Sequence, residues 1–154
     1  MHPFRFAVSV SRARTGDDWI ARARQAEDLG YDVLLMTDHL GAQLSPFAAL
    51  GAAAAATTRI HLGTYVLAND YRHPLMLARE ASTLDLLSGG RFELGMGAGW
   101  NTADYRGLGM PYDAPGRRID RLADERAVGF IQQILDEHGL TKIGGEPAHT
   151  CLPP

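Results

Sequence analysis
Ser88-Gly89-Gly90-Arg91-Phe92-Glu93-Leu94-Gly95-Met96-Gly97-Ala98-Gly99-Trp100 is the stretch on which the reading of this chain turns. The glycine pair ends a helical pattern. Arg91 to Met96 then runs as a short, mostly apolar strand, and Gly-Ala-Gly follows with a tryptophan at its mouth. Glycines at the end of a buried strand let backbone approach something flat or charged, because no Cβ stands in the way. A strand leaving its sheet through a flexible turn fits the same spacing. The functional reading gains weight because earlier parts of the chain repeat the layout.

Phe4 to Val10 alternates and reads as a first strand. Thr15-Gly16-Asp17-Asp18 offers a cap and an acidic first turn. Trp19, Ala23, Ala26 and Leu29 then recur at helical spacing, and Gly30 is placed to cap the end. Val33 to Met36 is a continuous apolar run, the mark of a strand buried on both faces, and it ends in Thr37-Asp38-His39. Ser45-Pro46 starts a second helix, with a capping hydroxyl and proline at the first helical position, running to about Thr57. Ile60 to Leu67 reads as a third strand leading into Asn69 to His73, and Pro74 opens the next helix. After the fourth strand a long loop passes Tyr105, Gly109, Pro111 and Pro115. A last helix is expected from about Arg117 to Glu137.

Four strand-helix units in strict alternation predict an α/β fold with a parallel sheet, in strand order 1-2-3-4 and with helices on one face. An open doubly wound sheet and part of a TIM-type (β/α)8 barrel both put their sites at the carboxyl ends of strands. The polar residues cluster there, at Asp38-His39, Asn69 to His73 and Gly97 to Tyr105. A dinucleotide-binding sheet wants Gly-x-Gly-x-x-Gly after the first strand, where Ser9-Val10-Ser11-Arg12 stands instead. The pattern therefore leans towards the barrel, here a half-barrel of about four units.

Composition narrows the function classes. The chain has 154 residues, is 45% hydrophobic and 21% charged, and carries a net charge of -3. No basic excess points to nucleic acid or an anionic membrane surface. The longest apolar run, Ala48 to Ala56, is too short to span a bilayer, and Met1 to Val10 does not read as a signal peptide. The single Cys151 excludes an internal disulfide framework and fits a reducing cytoplasm. Scattered histidines give no metal-ligand spacing. Arg117 and Arg118 oppose the dipole of the last helix and read as a solvated surface or a site for a negative partner.

Leu34-Leu35-Met36-Thr37-Asp38-His39, Gly63-Thr64-Tyr65-Val66-Leu67, His73-Pro74 and Gly89 to Trp100 together resemble the bacterial luciferase-like family of flavin- and deazaflavin-dependent oxidoreductases. The resemblance covers roughly Phe4 to Glu137. It implies a (β/α)8 barrel acting on a small-molecule substrate, by hydride transfer with coenzyme F420 or by monooxygenation with FMN. It also implies a catalytic His39, with Asp38 beside it facing the cofactor ring. Tyr65 and Val66 match a bulge with a non-prolyl cis peptide behind the ring, and Gly97, Ala98, Gly99 and Trp100 match the loop beside it. Asp104-Tyr105 stands where many relatives have Glu-Tyr, so the shorter side chain is expected to lose contacts. Sugar-phosphate dehydrogenases of the family carry an acidic glutamate at the position of Trp100, so that activity is disfavoured.

A full barrel takes about 250 residues. Residues 1–139 read as its N-terminal half, and residues 140–154 as an irregular tail of the kind truncation or a shifted frame would leave. The rival expectation is a non-catalytic half-barrel module that associates through its sheet edges, which points to a homo-oligomer.

Overall fold
The computed structural model describes residues 4–123. In chain order it contains β1 (Ala7–Ser9), α1 (Gly16–Asp28), β2 (Val33–Met36), α2 (Pro46–Ala56), β3 (His61–Thr64) and β4 (Leu67–Ala68). A 3-10 turn (Asn69–Tyr71) follows, then α3 (Pro74–Ser88), β5 (Phe92–Glu93), β6 (Met96–Gly97), α4 (Thr102–Gly107) and α5 (Pro115–Leu122). Strands β1, β2, β3 and β5 form one parallel sheet in that order. Helix α1 packs on α2 and α2 on α3, a single layer over one face of the sheet. The expected strand order and one-sided helical layer are both present, as befits half of a barrel.

Register separates the two faces. Val8, Leu34, Leu62 and Phe92 lie at one level and point into the helix-side core with Trp19, Ala23, Leu50, Ala53 and Leu84. Burying each large apolar side chain contributes about 1.5–3 kcal/mol. Trp19 also closes its polar end, donating from Nε1 to the Ala49 carbonyl at 2.8 Å. The neighbouring level, Ser9, Leu35, Gly63 and Glu93, faces away from the helices. On that face Arg5 pairs with Glu93, and His61 Nδ1 lies 2.9 Å from the same carboxylate.

The amino ends of the strands are tied by charge onto backbone. Glu27 Oε1 accepts from the Thr58, Arg59 and Ile60 N–H groups at 2.9, 2.6 and 3.0 Å. Arg91 donates to the Ala54, Thr57 and Ile60 carbonyls at 2.9, 3.2 and 2.8 Å, so one guanidinium satisfies carbonyls left over at the end of α2.

Several expectations need correction. The first strand spans Ala7–Ser9 rather than Phe4 to Val10. The third and fourth strands each break in two, because Thr64 Oγ1 and the Gly95 backbone exchange hydrogen bonds at 2.9 Å where a continuous ladder would run. Ser45 occupies the N-cap of α2, but its hydroxyl makes no capping bond; Pro46 alone sets the start. The long loop contains α4, whose cap is Asn101 accepting from Ala103 N–H at 3.1 Å. Of the last helix, α5 is present as Pro115–Leu122. Residues 124–137, the boundary at 139–140 and Cys151 lie outside the described residues.

Candidate functional site
The carboxyl ends of β2, β3 and β5 converge on one cleft edge. Continuous burial carries β2 to Met36, after which Asp38 and His39 leave the sheet. Asp38 is buried and its oxygens are taken: Arg72 reaches both at 2.5 and 2.8 Å, and Ala68 N–H donates at 3.1 Å. The expected ring-facing partner of His39 is thus held against its own fold.

His39 stands differently. Its Nδ1 lies 2.9 Å from Asp104 Oδ2, and its ring meets Trp100 edge-on, centroids 5.4 Å apart at 83°. Nε2 makes no hydrogen bond among the described residues and is not sealed from solvent. Trp100 is 71% exposed, Tyr65 66% and Val66 40%, so three of the residues expected at the ring present bare surface, Trp100 directly against the His39 ring. The Tyr65–Val66 peptide is cis, as the family resemblance implied.

Two of the glycines sit where strands come close together. A Cβ on Gly95 would strike the Thr64 carbonyl, and one on Gly97 would lie 2.5 Å from Val66 Cγ2. They let the chain around β6 close on the bulge that carries Tyr65 and Val66. Gly99 has a positive φ of 72° with Tyr105 directly behind it, and the Ala98 carbonyl accepts from the Tyr105 hydroxyl at 3.2 Å.

Behind the cleft edge the structure assembles groups that the sequence did not single out as a unit. Asp104 accepts from Leu40 N–H at 3.3 Å, Asn101 Nδ2 at 3.0 Å and Tyr71 Oη at 3.5 Å, besides His39. The loss of contact expected from its shorter side chain does not occur, because α4 brings the carboxylate to His39. Burial works to raise its pKa, yet the bonds from His39, Leu40 and Asn101 outweigh it and hold the carboxyl below the usual range. Burial first, then nearby Asp104, pushes the Tyr71 hydroxyl well above its ordinary value.

Asp70 is more than a turn residue. Arg121 grips both its oxygens at 2.9 and 2.7 Å, and Tyr105 donates to it at 2.8 Å. The hydrogen bond from Arg121 is the main reason its carboxyl sits low, against the opposing effect of burial. Burial, followed by the bond to Asp70, lifts Tyr105 to about 12. Arg118, expected at the surface, is buried instead, donating to the Gly99 and Asp113 carbonyls with its guanidinium 4.2 Å above the Tyr112 ring. Arg117 remains exposed. His73 is a helix-entry residue, its Nδ1 accepting from Leu75 N–H at 3.2 Å. No cluster of metal-ligating side chains occurs among the described residues, and no described helix is long and apolar enough to cross a membrane.

A family model described as luciferase-like monooxygenase matches residues 1–125. The F420-dependent glucose-6-phosphate dehydrogenase of Beutenbergia cavernae is 35% identical over 76% of this chain and 36% of its own length. Among solved structures, the coenzyme F420 dependent tetrahydromethanopterin reductase of Methanopyrus kandleri superposes with a TM-score of 0.64 at 31% identity, over 70% of this chain and 30% of its own. An FMN complex of the 3,6-diketocamphane monooxygenase oxygenating constituent from Pseudomonas putida reaches 0.70 at 21% identity over 84% and 39%, a likeness of fold. The chain spans about a third of the length of the curated relatives it matches first.

Proposed function
The chain belongs to the luciferase-like monooxygenase family, and from that membership we propose that it is a flavin- or deazaflavin-dependent oxidoreductase, taking coenzyme F420 or FMN at the edge formed by His39, Tyr65, Val66 and Trp100. One observation carries the reading: an imidazole with one nitrogen lacking a partner among the described residues stands against the exposed Trp100 ring at the carboxyl ends of parallel strands. That combination fits a planar ring with one reactive, proton-exchanging edge. The coenzyme F420 dependence of two similar proteins supports the deazaflavin, and the bound FMN of a structural neighbour supports the flavin.

When bound, such a cofactor supplies hydride transfer or, for the flavin, oxygen activation. The residues of this chain bind, orient and shield it. Trp100, Tyr65 and Val66 give the apolar wall, and Gly97, Ala98 and Gly99 shape the loop that borders it. His39 Nε2 orients the reactive edge and exchanges a proton there. Asp38 holds the strand end through Arg72. Trp100 has no transferable proton, so the sugar-phosphate reaction of the Beutenbergia relative is not carried over. The substrate is a small molecule, and the single Cys151 suits the cytoplasmic location that goes with this reading.

Titrating the purified chain with oxidised coenzyme F420 and with FMN, followed by absorbance and fluorescence, tests this. Saturable binding of one of them, weakened in Trp100→Ala, is expected. A folded chain that binds neither overturns the reading.

A second reading concerns association. Among the described residues β1 and β5 each pair along one edge, and Phe4, Phe6, Leu86 and Leu87 are exposed. Unpaired edges and apolar surface favour a homo-oligomer. Sedimentation showing a monomer at all working concentrations would remove it.

A further inference from the structure
We propose that Asp104 is a positioning residue that locks His39 in the Nδ1–H tautomer, so that Nε2 is the atom that accepts and returns the proton at the cleft. The proposal rests on the reading of His39 as the proton-exchanging group.

The argument is one of donor counting. Four groups converge on the Asp104 carboxylate: Leu40 N–H on Oδ1, and Asn101 Nδ2, the Tyr71 hydroxyl and His39 Nδ1 on Oδ2. The backbone N–H and the amide NH2 can only donate, and the Tyr71 hydroxyl has its proton available for the same purpose. A site that gathers donors in this way holds an ionised carboxylate, which has nothing to donate in return. The lowered pKa of Asp104, despite burial, agrees with that count. The hydrogen bond at 2.9 Å therefore requires the proton to sit on His39 Nδ1. In the neutral ring this leaves a lone pair on Nε2, the nitrogen with no protein partner among the described residues.

The carboxylate is itself fixed. Asn101 caps α4 and contacts Asp104 in the same turn, and Leu40 directly follows His39 in the chain. A turn of helix and the end of β2 are thus joined through one side chain, and Trp100 limits ring rotation from the other side. Orientation, tautomer and charge compensation for the imidazolium come from the same group, the arrangement by which a carboxylate serves a histidine base in other enzymes. A free histidine side chain in water favours the opposite, Nε2–H form, so the lock has a spectroscopic signature.

The test is long-range ¹H–¹⁵N NMR on the whole chain labelled at histidine, with His39→Gln assigning the signal, at a pH above the imidazole titration. The expected wild-type spectrum places the proton on Nδ1 of His39; a proton on Nε2 overturns the proposal. In Asp104→Ala, circular dichroism being unchanged, the ring is expected to shift to the Nε2–H form, and retention of Nδ1–H overturns it. The wild-type spectrum is decisive alone, so loss of fold in the variant does not rescue the idea. Failure to bind coenzyme F420 or FMN sinks the functional reading and leaves the tautomer result standing. A wrong tautomer in a chain that binds cofactor sinks this inference alone.

Discussion
The two ends of the four-stranded sheet both carry buried or half-buried charge and use their main groups differently. At the amino end, Glu27 and Arg91 close onto backbone. Glu27 is capped by three consecutive N–H groups, and Arg91 by carbonyls of α2 and of the residue leading into β3. Those side chains keep little capacity for a ligand. At the carboxyl end, Arg72 closes on the Asp38 side chain and Arg121 on that of Asp70. The chain of contacts through Asp104 ends on His39 with one nitrogen left over. Satisfied backbone makes one end a clamp, and a side-chain network with one nitrogen left over among the described residues marks the other as the proposed site. Barrels divide stability and chemistry between their ends in the same sense.

The sharpest way to break this comparison is His39→Ala. Turnover with the bound cofactor should fall by about 10²- to 10⁴-fold, the range for loss of a positioned acid-base group. Cofactor affinity and unfolding midpoint should move far less. Full turnover in this variant, with loss in Trp100→Ala, would make His39 a structural strand-end residue.

Arg91→Ala probes the clamp. Removing a charged donor from several buried carbonyls should lower stability by about 3 kcal/mol in a denaturant titration, while cofactor affinity is retained. A drop in affinity at constant stability would show that the two ends are not separate.

Glu27→Ala is a milder version, expected to lower stability by about 2 kcal/mol. Burial opposes the charge of Glu27, but the three N–H groups prevail and keep its pKa low. A folded value below the unfolded one means that its contribution is present above the unfolded pKa. It is lost as pH falls below the ordinary glutamate range and through the folded value. The stability difference between wild type and Glu27→Ala should shrink in acid over that window, and a difference independent of pH would contradict the capping account.

Trp100→Ala should have the smallest effect on the fold, within about 0.5 kcal/mol, since the side chain stands in solvent. Its expected cost is in cofactor binding, about fivefold in dissociation constant, or about 1 kcal/mol of aromatic contact. Unchanged affinity would move the ring-binding surface away from this loop.

Much of this was legible from local pattern. Alternating βα units, Thr15 as a cap, Pro46 and Pro74 at helix starts and the buried run Val33 to Met36 all follow from short-range chemistry, and the structure bears them out. Even the placement of Asp38 and His39 at a strand end could be read from hydrophobicity ceasing at Met36. The family's cis bulge at Tyr65–Val66 was legible through resemblance, but the interruption of the strands was not, because it depends on Thr64 meeting the Gly95 backbone 31 positions away.

What the tertiary structure alone decided are pairings between residues far apart in the chain. His39 with Asp104, Arg72 with Asp38 and Arg121 with Asp70 span 65, 34 and 51 positions. Nothing in the spacing of an aspartate says which distant cation or imidazole it will meet. The glycines of Gly95-Met96-Gly97 illustrate the same limit. Sequence shows only glycines at the end of a strand, and the packed structure shows that a Cβ there would meet the Thr64 carbonyl and the Val66 side chain. Local propensity sets elements within a few residues, whereas charge partnership and close backbone approach depend on how whole elements dock, and docking is settled by the core they bury together.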